Sequence, residues 1–250
     1  MSGTHFDYDC ATISPDGRMY QVEYAEKAVD LNSTILGVVC KDGIILGTEK
    51  IIVNKMMESG TDKRLYSVNL TTGGIVNGVI PDGRQVIQKA RKEAHQYEDM
   101  FGIKCPAHIL TERLANQYQM YTVYNGRRPI ASSLILANHH QMKGFTLHMI
   151  EPSSSCYQYY GCASGRGKQM ARNEIEKGKF RELTVDEALP KIAKILLKCQ
   201  EEMKDKKQEL ELSVLSEGSK FRHKILDRET VDKLTVQAKQ EIDGEDVDMQ

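Results

Sequence analysis

The sequence predicts an α+β sandwich, in which antiparallel sheets are covered on their outer faces by helices. Two observations support this fold class. Strand-like runs and helical patterns alternate in groups along the chain: strands, two helices, strands, two helices, then a hairpin and a last helix. The first group of strands is joined by short turns, which predicts an antiparallel meander. Helices grouped in this way fit on the outside of antiparallel sheets.

The N-terminal part combines a turn with a short helix. Ser14-Pro15-Asp16-Gly17 has turn chemistry, because proline presets φ and glycine accepts a positive φ. Apolar residues then recur at roughly helical spacing, which predicts a helix over residues 19–31. Four strands are predicted to follow, over residues 34–40, 44–48, 65–68 and 73–79, with Lys41-Asp42-Gly43 as the first tight turn.

The remaining elements follow from periodicity and capping signals. Helices are predicted over residues 82–101, 107–124, 164–177 and 228–240, and strands over residues 131–137, 145–150, 156–160, 209–215 and 221–226. Gly178 is a candidate C-cap. Thr184 and Glu187 fit a capping box that opens one more helix. Pro190 inside that helix is expected to kink it, because an interior proline lacks an N–H group and clashes with the preceding turn.

Composition predicts one globular domain. The chain has 250 residues with 40% hydrophobic content, and it contains neither repeats nor a linker, so residues 1–240 are predicted to form a single domain. The 34 Lys and Arg nearly balance the 35 Asp and Glu, so no global field attracts nucleic acid or anionic lipid. No apolar stretch approaches the roughly 20 residues that span a bilayer.

The cysteines and the C-terminus indicate the environment of the chain. Six cysteines are scattered without a short pair, which favours reduced thiols in the cytosol or nucleus. Five of the last ten residues are acidic, and no Lys or Arg follows Lys239. Residues 241–250 are therefore predicted to be an acidic, mobile tail.

Three motifs have a functional interpretation and a plainer structural one. Gly161–Lys168 is glycine-rich, but it lacks the residues that a phosphate-binding loop needs at Cys162 and Gln169, which favours a strand-to-helix turn. The pair His139-His140 has no further ligand at a metal-binding spacing, so a loop histidine pair is favoured and no metal or other cofactor is predicted. A basic cluster near the last hairpin is predicted to be a solvated face, because it lacks stacking aromatics. That cluster comprises Lys220, Arg222, His223 and Lys224.

One segment resembles a known family. The run Ser14-Pro-Asp-Gly-Arg-x-Tyr-Gln-Val-Glu-Tyr-Ala-x-Lys-Ala-Val29 is similar to the amino-terminal signature of proteasome alpha subunits. The resemblance extends over nearly the whole chain and implies a four-layer αββα sandwich of two antiparallel sheets, the Ntn-hydrolase fold, with an additional N-terminal helix. Glu209–Ser213 and the acidic tail look most like the subunit at the seventh position of the eukaryotic alpha ring.

The resemblance implies that this chain is not a peptidase. Active beta subunits of the family use an N-terminal Thr whose free α-amine manages the proton. Here Ser33 falls at the nucleophile position behind thirty-two residues, so its amine is not free. Glu49 falls at the family's active-site Asp position and Arg64 near its Lys position, and Arg cannot readily tune its pKa as Lys can.

Two alternatives stay open at this point. The first is a self-processing hydrolase with Ser33 as nucleophile, although cleavage before Ser33 would remove the signature helix. The second is a free binding protein outside any proteasome. Against it, the apolar residues of the first helix would lack a complete core of their own. These residues are Tyr20, Val22, Tyr24 and Val29.

A role in gating is also implied by the resemblance. The chain would be a structural and gating subunit of the 20S core particle, in a seven-membered alpha ring stacked on the catalytic beta ring. Residues 1–13 would reach toward the pore as a gate tail. Tyr8, Asp9, Pro15 and Tyr24 match the family positions that hold an opened gate. Cys10 departs from the family pattern, which usually has Arg or Leu there, and residues 9–14 form a shorter segment than is typical.

The resemblance further implies partners and a location. Lys63 falls at the position of a pocket lysine that receives the C-terminal carboxylate of an activator; the plain alternative is a surface loop lysine. The expected partners are neighbouring alpha subunits, the beta ring, and a regulatory particle or other activators at the ring face. Neither nucleic acid nor membrane is expected as a partner. Ubiquitin-dependent and ubiquitin-independent protein degradation in cytoplasm and nucleus is the expected setting.

Overall fold

Two five-stranded antiparallel sheets lie face to face, and helices cover both outer surfaces, which confirms the predicted fold class. The computed structural model describes residues 9–52, 54, 56–58, 60–124, 126–199 and 208–248, without the side chains of residues 51, 208 and 243–248. Tyr8 and most of the predicted gate tail therefore lie outside the described residues.

The first sheet contains the strand that follows Ser33. Its strands are β1 (Ile35–Val39), β2 (Gly43–Ile51), β8 (Gly161–Ser164), β9 (Gln208–Ser216) and β10 (His223–Ile225), in the order β10-β9-β2-β1-β8. The second sheet consists of β3 (Leu65–Asn69), β4 (Thr72–Gly78), β5 (Ser132–His140), β6 (Gly144–Ile150) and β7 (Cys156–Tyr159), in that order. Every pairing in both sheets is antiparallel.

The helices form the two outer layers. They are α1 (Tyr20–Asp30), α2 (Ile80–Phe101), α3 (Ala107–Val123), α4 (Lys168–Lys177), α5 (Val185–Lys198) and α6 (Arg228–Asp248). Helices α2 and α3 bury an apolar cluster against the second sheet, and α4, α5 and α6 bury another against the first. A third cluster fills the space between the sheets. Burial of these three apolar clusters is the main stabilising contribution to the sandwich.

Helix α1 lies against the second sheet, where it contacts β4 and β5. Its ends are one residue inside the predicted range, because Met19 and Leu31 are its capping residues. Val22 and Val29 are buried within this chain. The expectation that the apolar residues of this helix would lack a core is therefore wrong for these two side chains.

The strand β8 was not predicted. It is only four residues long and pairs with β1 at the edge of the first sheet. The predicted helix over residues 164–177 begins instead at Lys168, since Gly165 has a φ of +102° that ends the strand. The strand-to-helix turn at Gly161–Lys168 is confirmed. Gly178 is the C-cap of α4, and its N–H donates to the carbonyl oxygen of Glu174 at 3.0 Å.

The start of α5 confirms the predicted capping box. The backbone N–H of Thr184 donates to the Glu187 carboxylate at 3.0 Å. In return, the backbone N–H of Glu187 donates to the Thr184 side chain. These two bonds satisfy amides that have no partner within the helix. Pro190 lies inside α5, which nevertheless continues to Lys198.

The predicted end of the last helix is wrong. Helix α6 continues from the expected end at Gln240 to Asp248, through most of the segment predicted to be a tail. Ile242 packs against the apolar cluster of the first sheet, and the Gln237 amide reaches the Glu241 carboxylate at 3.5 Å, one helical turn away. These contacts extend the helix past the last basic residue. Mobility of the acidic residues stays a prediction.

Candidate functional site

Glu49 is the central buried charge at the end of the sandwich where β1 begins. Its side chain is 1% exposed. One carboxylate oxygen accepts two hydrogen bonds from Thr34, one from the hydroxyl at 2.8 Å and one from the backbone N–H at 3.2 Å. The other oxygen has no partner among the described residues. The antiparallel pairing of β1 with β2 holds these two residues together.

Burial dominates the electrostatics of this carboxylate. It raises the pKa of Glu49, and the hydrogen bonds from Thr34 and the charge of Arg166 oppose the rise only in part. The Arg166 guanidinium lies 4.0 Å from the bonded oxygen. The Thr34 hydroxyl both donates and accepts, because it also accepts a hydrogen bond from the Gly167 N–H at 3.1 Å.

Ser33 lies beside this pair without joining it. The residue is 9% exposed, and its hydroxyl makes no hydrogen bond to any residue that the structure describes. Its carbonyl oxygen faces Gly165, where an added Cβ would lie only 2.2 Å away. Glycine is therefore required at this close approach. Among the described residues, the Ser33 hydroxyl has no general base within hydrogen-bond reach.

Arg64 belongs to a separate charged network. Its guanidinium binds the Asp62 carboxylate at 3.2 and 3.3 Å, and its backbone N–H donates to Glu211 at 3.1 Å. The ammonium of Lys50 donates to Glu211 and to the Asp62 carbonyl oxygen, both at 2.8 Å. Of the two arginines, the one that the structure brings to Glu49 is thus Arg166 rather than Arg64.

The loop that carries Lys63 is held by this network. The residues on both sides, Asp62 and Arg64, are bonded within it, and the Tyr66 hydroxyl donates to the Lys63 carbonyl oxygen at 2.8 Å. The Lys63 side chain is exposed. The result is a fixed backbone that presents one ammonium group to solvent.

The segment from Asp9 to Thr12 forms a local turn. The Asp9 carboxylate accepts hydrogen bonds from the Ala11 N–H at 3.2 Å and the Thr12 hydroxyl at 3.0 Å. Cys10 is buried, and its thiol donates to the carbonyl oxygen of Tyr124 at 3.4 Å, just after α3. This contact attaches the segment from Asp9 to Thr12 to the end of α3.

The predicted turn before α1 is confirmed. The Gly17 N–H donates to the Ser14 carbonyl oxygen at 2.8 Å, and Gly17 has a φ of +76°. Pro15 is exposed in this turn, and Tyr24 is half exposed on α1. Because Tyr8 lies outside the described residues, the cluster of gate residues stays a prediction.

Contacts to α1 were missed by the sequence interpretation. The Lys168 ammonium lies 2.7 Å from both carboxylate oxygens of Asp30, and the Asn77 amide donates to the Val29 carbonyl oxygen at 3.2 Å. These contacts join α1 to α4 and to β4. No local sequence signal connects residues so far apart in the chain.

The described part of the chain contains no group of three His, Cys, Asp or Glu side chains that could hold a metal ion. None of its helices combines the length and apolar character needed to cross a bilayer.

Comparison with known proteins defines the class. A family model described as a proteasome subunit matches residues 29–215, and a model of the N-terminal signature of A-type proteasome subunits matches residues 6–28. The chain belongs to the proteasome subunit family. The N-terminal match specifies the type: it is an alpha-type subunit of the 20S core, with a structural role in protein degradation and other proteasome subunits as its assembly partners.

Relatives cover almost the full length. Proteasome subunit alpha type-3 of Arabidopsis thaliana is 42% identical over 246 residues, which are 98% of each chain. Its namesake in Dictyostelium discoideum is 38% identical over 241 residues, or 96% of this chain and 97% of the relative. A probable proteasome subunit alpha type-7 of Schizosaccharomyces pombe is 34% identical over 250 residues, or 100% of this chain and 98% of the relative.

Proposed function

We propose that this chain is a non-catalytic structural and gating subunit at the seventh position of the outer alpha ring. The observation that carries the non-catalytic part is the buried Thr34–Glu49 pair, which leaves Ser33 without a base. The proposed ring position takes the names of the relatives, alpha type-3 in plants and amoebae and alpha type-7 in yeasts, as two names for one position.

Three features support the proposal that this chain lacks peptidase activity. The serine amine is an ordinary peptide N–H, since residues 9–32 continue into a folded turn and helix ahead of it. Glu49 is bonded to Thr34, and burial raises its pKa. Arg64 is bonded to Asp62 in another network. A nucleophile with neither a free amine nor a positioned base is poorly activated.

Gating by the N-terminal tail is supported by the anchor at Cys10. Cys10 is buried and bonded at the end of α3, so it fixes one end of the tail. A short tail attached at a fixed point can cover only a limited area. In this proposal, residues 1–8 restrict the entry of substrates. Tyr8, Asp9, Pro15 and Tyr24 would hold the opened form of this gate.

Docking of activators at Lys63 is supported by the rigid loop around it. A C-terminal carboxylate gains most from an ammonium whose backbone is already fixed, because less conformational entropy is lost on binding. The loop from Asp62 to Arg64 meets that requirement. The partners proposed for this surface are a regulatory particle and other activators, and the proposed location is the cytoplasm and nucleus.

Removal of residues 2–8 tests the gating proposal. We expect the purified core particle to hydrolyse short fluorogenic peptides faster in the absence of activator, because the tail no longer obstructs the pore. A control particle lacking residues 249–250 should keep the basal rate. At saturating activator, wild-type and deletion particles should have equal rates, which shows intact active sites. An unchanged basal rate in the deletion particle would mean that this tail does not gate.

A further inference from the structure

An open pocket of about 790 Å³ lies at the end of the sandwich opposite Ser33. The hydroxyls of Ser133 and Ser164 are 2.9 Å apart, which places the start of β5 at the Ser33 end. The turn after β5 must therefore lie at the other end, where it meets the β3–β4 turn, the α2–α3 loop and the β9–β10 turn. We call this cavity the far-end pocket.

Apolar and aromatic side chains form much of its wall. The rings of His139 and Phe221 stack with centroids 4.1 Å apart and planes 16° from parallel. Phe145 packs behind them, 6.0 Å from Phe221. Met142 is 91% exposed and Ile103 is 55% exposed at the rim. A concave surface with flexible methionine and exposed aliphatic side chains is suited to receiving an apolar side chain of a partner.

The charge at the pocket is positive. Lys104 and Lys220 line it, both are exposed, and neither forms an ion pair with a described residue. No carboxylate is among the described lining residues. Burial and the neighbouring His140 lower the pKa of His139, while the charge of Glu217 opposes that shift. The two lysines therefore supply the positive charge at the pocket.

The backbone at the β9–β10 turn is constrained. Lys220 and Phe221 have φ values of +56° and +57°, an uncommon conformation for two successive residues that are not glycine. Hydrogen bonds hold them there: the Lys220 N–H donates to the carbonyl oxygen of Glu217 at 2.8 Å and the Phe221 N–H to that of Ser216 at 2.9 Å. Strained residues that the surrounding structure holds in place are frequent in ligand-binding sites, because the side chains are pre-organised.

We propose that the far-end pocket binds an acidic peptide segment of a partner protein. A bulky apolar side chain of that segment enters between Phe221, Met142 and Ile103, and flanking carboxylates pair with Lys104 and Lys220. Charge complementarity favours such a segment, and the apolar rim favours a peptide over a nucleic acid. This binding is independent of gating, since the pocket lies far from Ser33 and uses neither the tail nor Lys63.

The proposed peptide site brings together two motifs that the sequence analysis treated separately. The pair His139-His140 and Lys220, the first residue of the basic cluster, are separate in the chain, yet they line one cavity. The sequence predicted no aromatic group beside the cluster. The stack of His139 on Phe221 corrects that expectation.

The experiment is a peptide selection on purified core particles that contain this chain. The probe is a phage library of random twelve-residue peptides, selected on wild-type particles and then measured as labelled synthetic peptides by fluorescence anisotropy. The test particle carries K104E and K220E. Its matched control carries K224E and K233E, which change the charge equally at exposed lysines outside the pocket.

We expect enriched peptides in which Asp or Glu flanks Phe, Leu or Met. Their dissociation constants should rise about tenfold or more in the test particle, in line with the loss of two charge-assisted contacts, and stay unchanged in the control. Met142→Ala, at a side chain too exposed to affect folding, should weaken the same peptides. No enrichment of acidic peptides, or equal binding to wild-type and test particles, would overturn the proposal. Displacement of the peptides by single-stranded DNA with the same lysine dependence would assign the pocket to nucleic acid instead.

Discussion

The hydroxyl of Thr34 donates a hydrogen bond to the Glu49 carboxylate at 2.8 Å, inside a site closed to solvent. Ser33, which the sequence resemblance predicts to be at the nucleophile position, precedes Thr34 in the chain but takes no part in this pair. Glu49 bonds to Thr34, and the Ser33 hydroxyl has no hydrogen-bond partner among the described residues. We interpret the Thr34–Glu49 pair as a structural contact. It stabilises the end of β1 against β2 and offers no activated nucleophile.

Ser33→Ala tests this interpretation. We expect peptide hydrolysis by the assembled particle to be unchanged, because the Ser33 hydroxyl has no base within reach. The measurement is the hydrolysis rate of fluorogenic peptides at equal particle concentration. A particle in which the N-terminal threonine of an active beta subunit is replaced by alanine serves as positive control and should lose the corresponding activity. Loss of activity with Ser33→Ala in a fully assembled particle would revive the hydrolase alternative.

The raised pKa of Glu49 predicts a pH dependence. An acid whose pKa is higher in the folded than in the unfolded chain binds more protons when folded. Stability therefore falls as pH rises above the ordinary glutamate value of 4.5. Glu49→Gln keeps an acceptor for Thr34 and does not ionise, so we expect the variant to gain stability relative to wild type as pH rises. Chemical denaturation of the purified chain between about pH 4 and pH 8 measures this difference.

If the free energies of unfolding of wild type and Glu49→Gln differed by the same amount at every pH in that range, the raised pKa of Glu49 would be contradicted. Glu174→Gln is a suitable control, because that carboxylate forms an ion pair with Lys177 on the surface of α4. The effect of Glu174→Gln on the free energy of unfolding should be small.

Close packing between the sheets gives another prediction. His223 bonds to Ser67 at 2.8 Å and to Ser213 at 3.0 Å, so it links the two sheets. A Cβ at Gly73 would lie 2.1 Å from its ring. Gly73→Ala should therefore destabilise the chain by about 1–3 kcal/mol, the usual range for overpacking.

The midpoint of chemical denaturation measures the effect of Gly73→Ala. Gly218→Ala is the matched control, because the nearest atom to an added Cβ there is 3.7 Å away and the residue lacks a positive φ. That control should change the free energy of unfolding very little. Equal midpoints for wild type and Gly73→Ala would show that His223 is not held where the structure has it.

Lys63→Ala tests the docking proposal. We expect a peptide ending in the C-terminal carboxylate of an activator to stimulate the particle with an affinity lower by about tenfold or more, the cost of one charge-assisted hydrogen bond. The measurement is the concentration for half-maximal stimulation. Lys41→Ala, at an exposed lysine in the turn between β1 and β2, should behave as wild type. If both variants respond like wild type, Lys63 is an ordinary loop lysine.

Much of the fold could be predicted because its signals are local. Alternating apolar residues, the Thr184 capping box and the glycine turns each act within a few residues. The strand β8 was missed because four residues carry too little periodicity, and the end of α6 was missed because Ile242 is stabilised by tertiary packing.

The candidate site was harder to predict, because its contacts join distant parts of the chain. Family resemblance located Ser33, Glu49 and Arg64 in the sequence, but pairing between strands decides what each side chain touches. The bond from Lys50 to Glu211 crosses from β2 to β9 and engages the network that holds Arg64. Sequence periodicity carries no information about such a network.

Native mass spectrometry of the complex purified from its own cells is the decisive test of a non-catalytic gating role, with subunits released and weighed in the same experiment. We expect a particle of stacked heptameric rings that contains threonine peptidase subunits and this chain with its residues before Ser33 still attached. A chain that begins at Ser33, or one found only as a free monomer, would contradict that role.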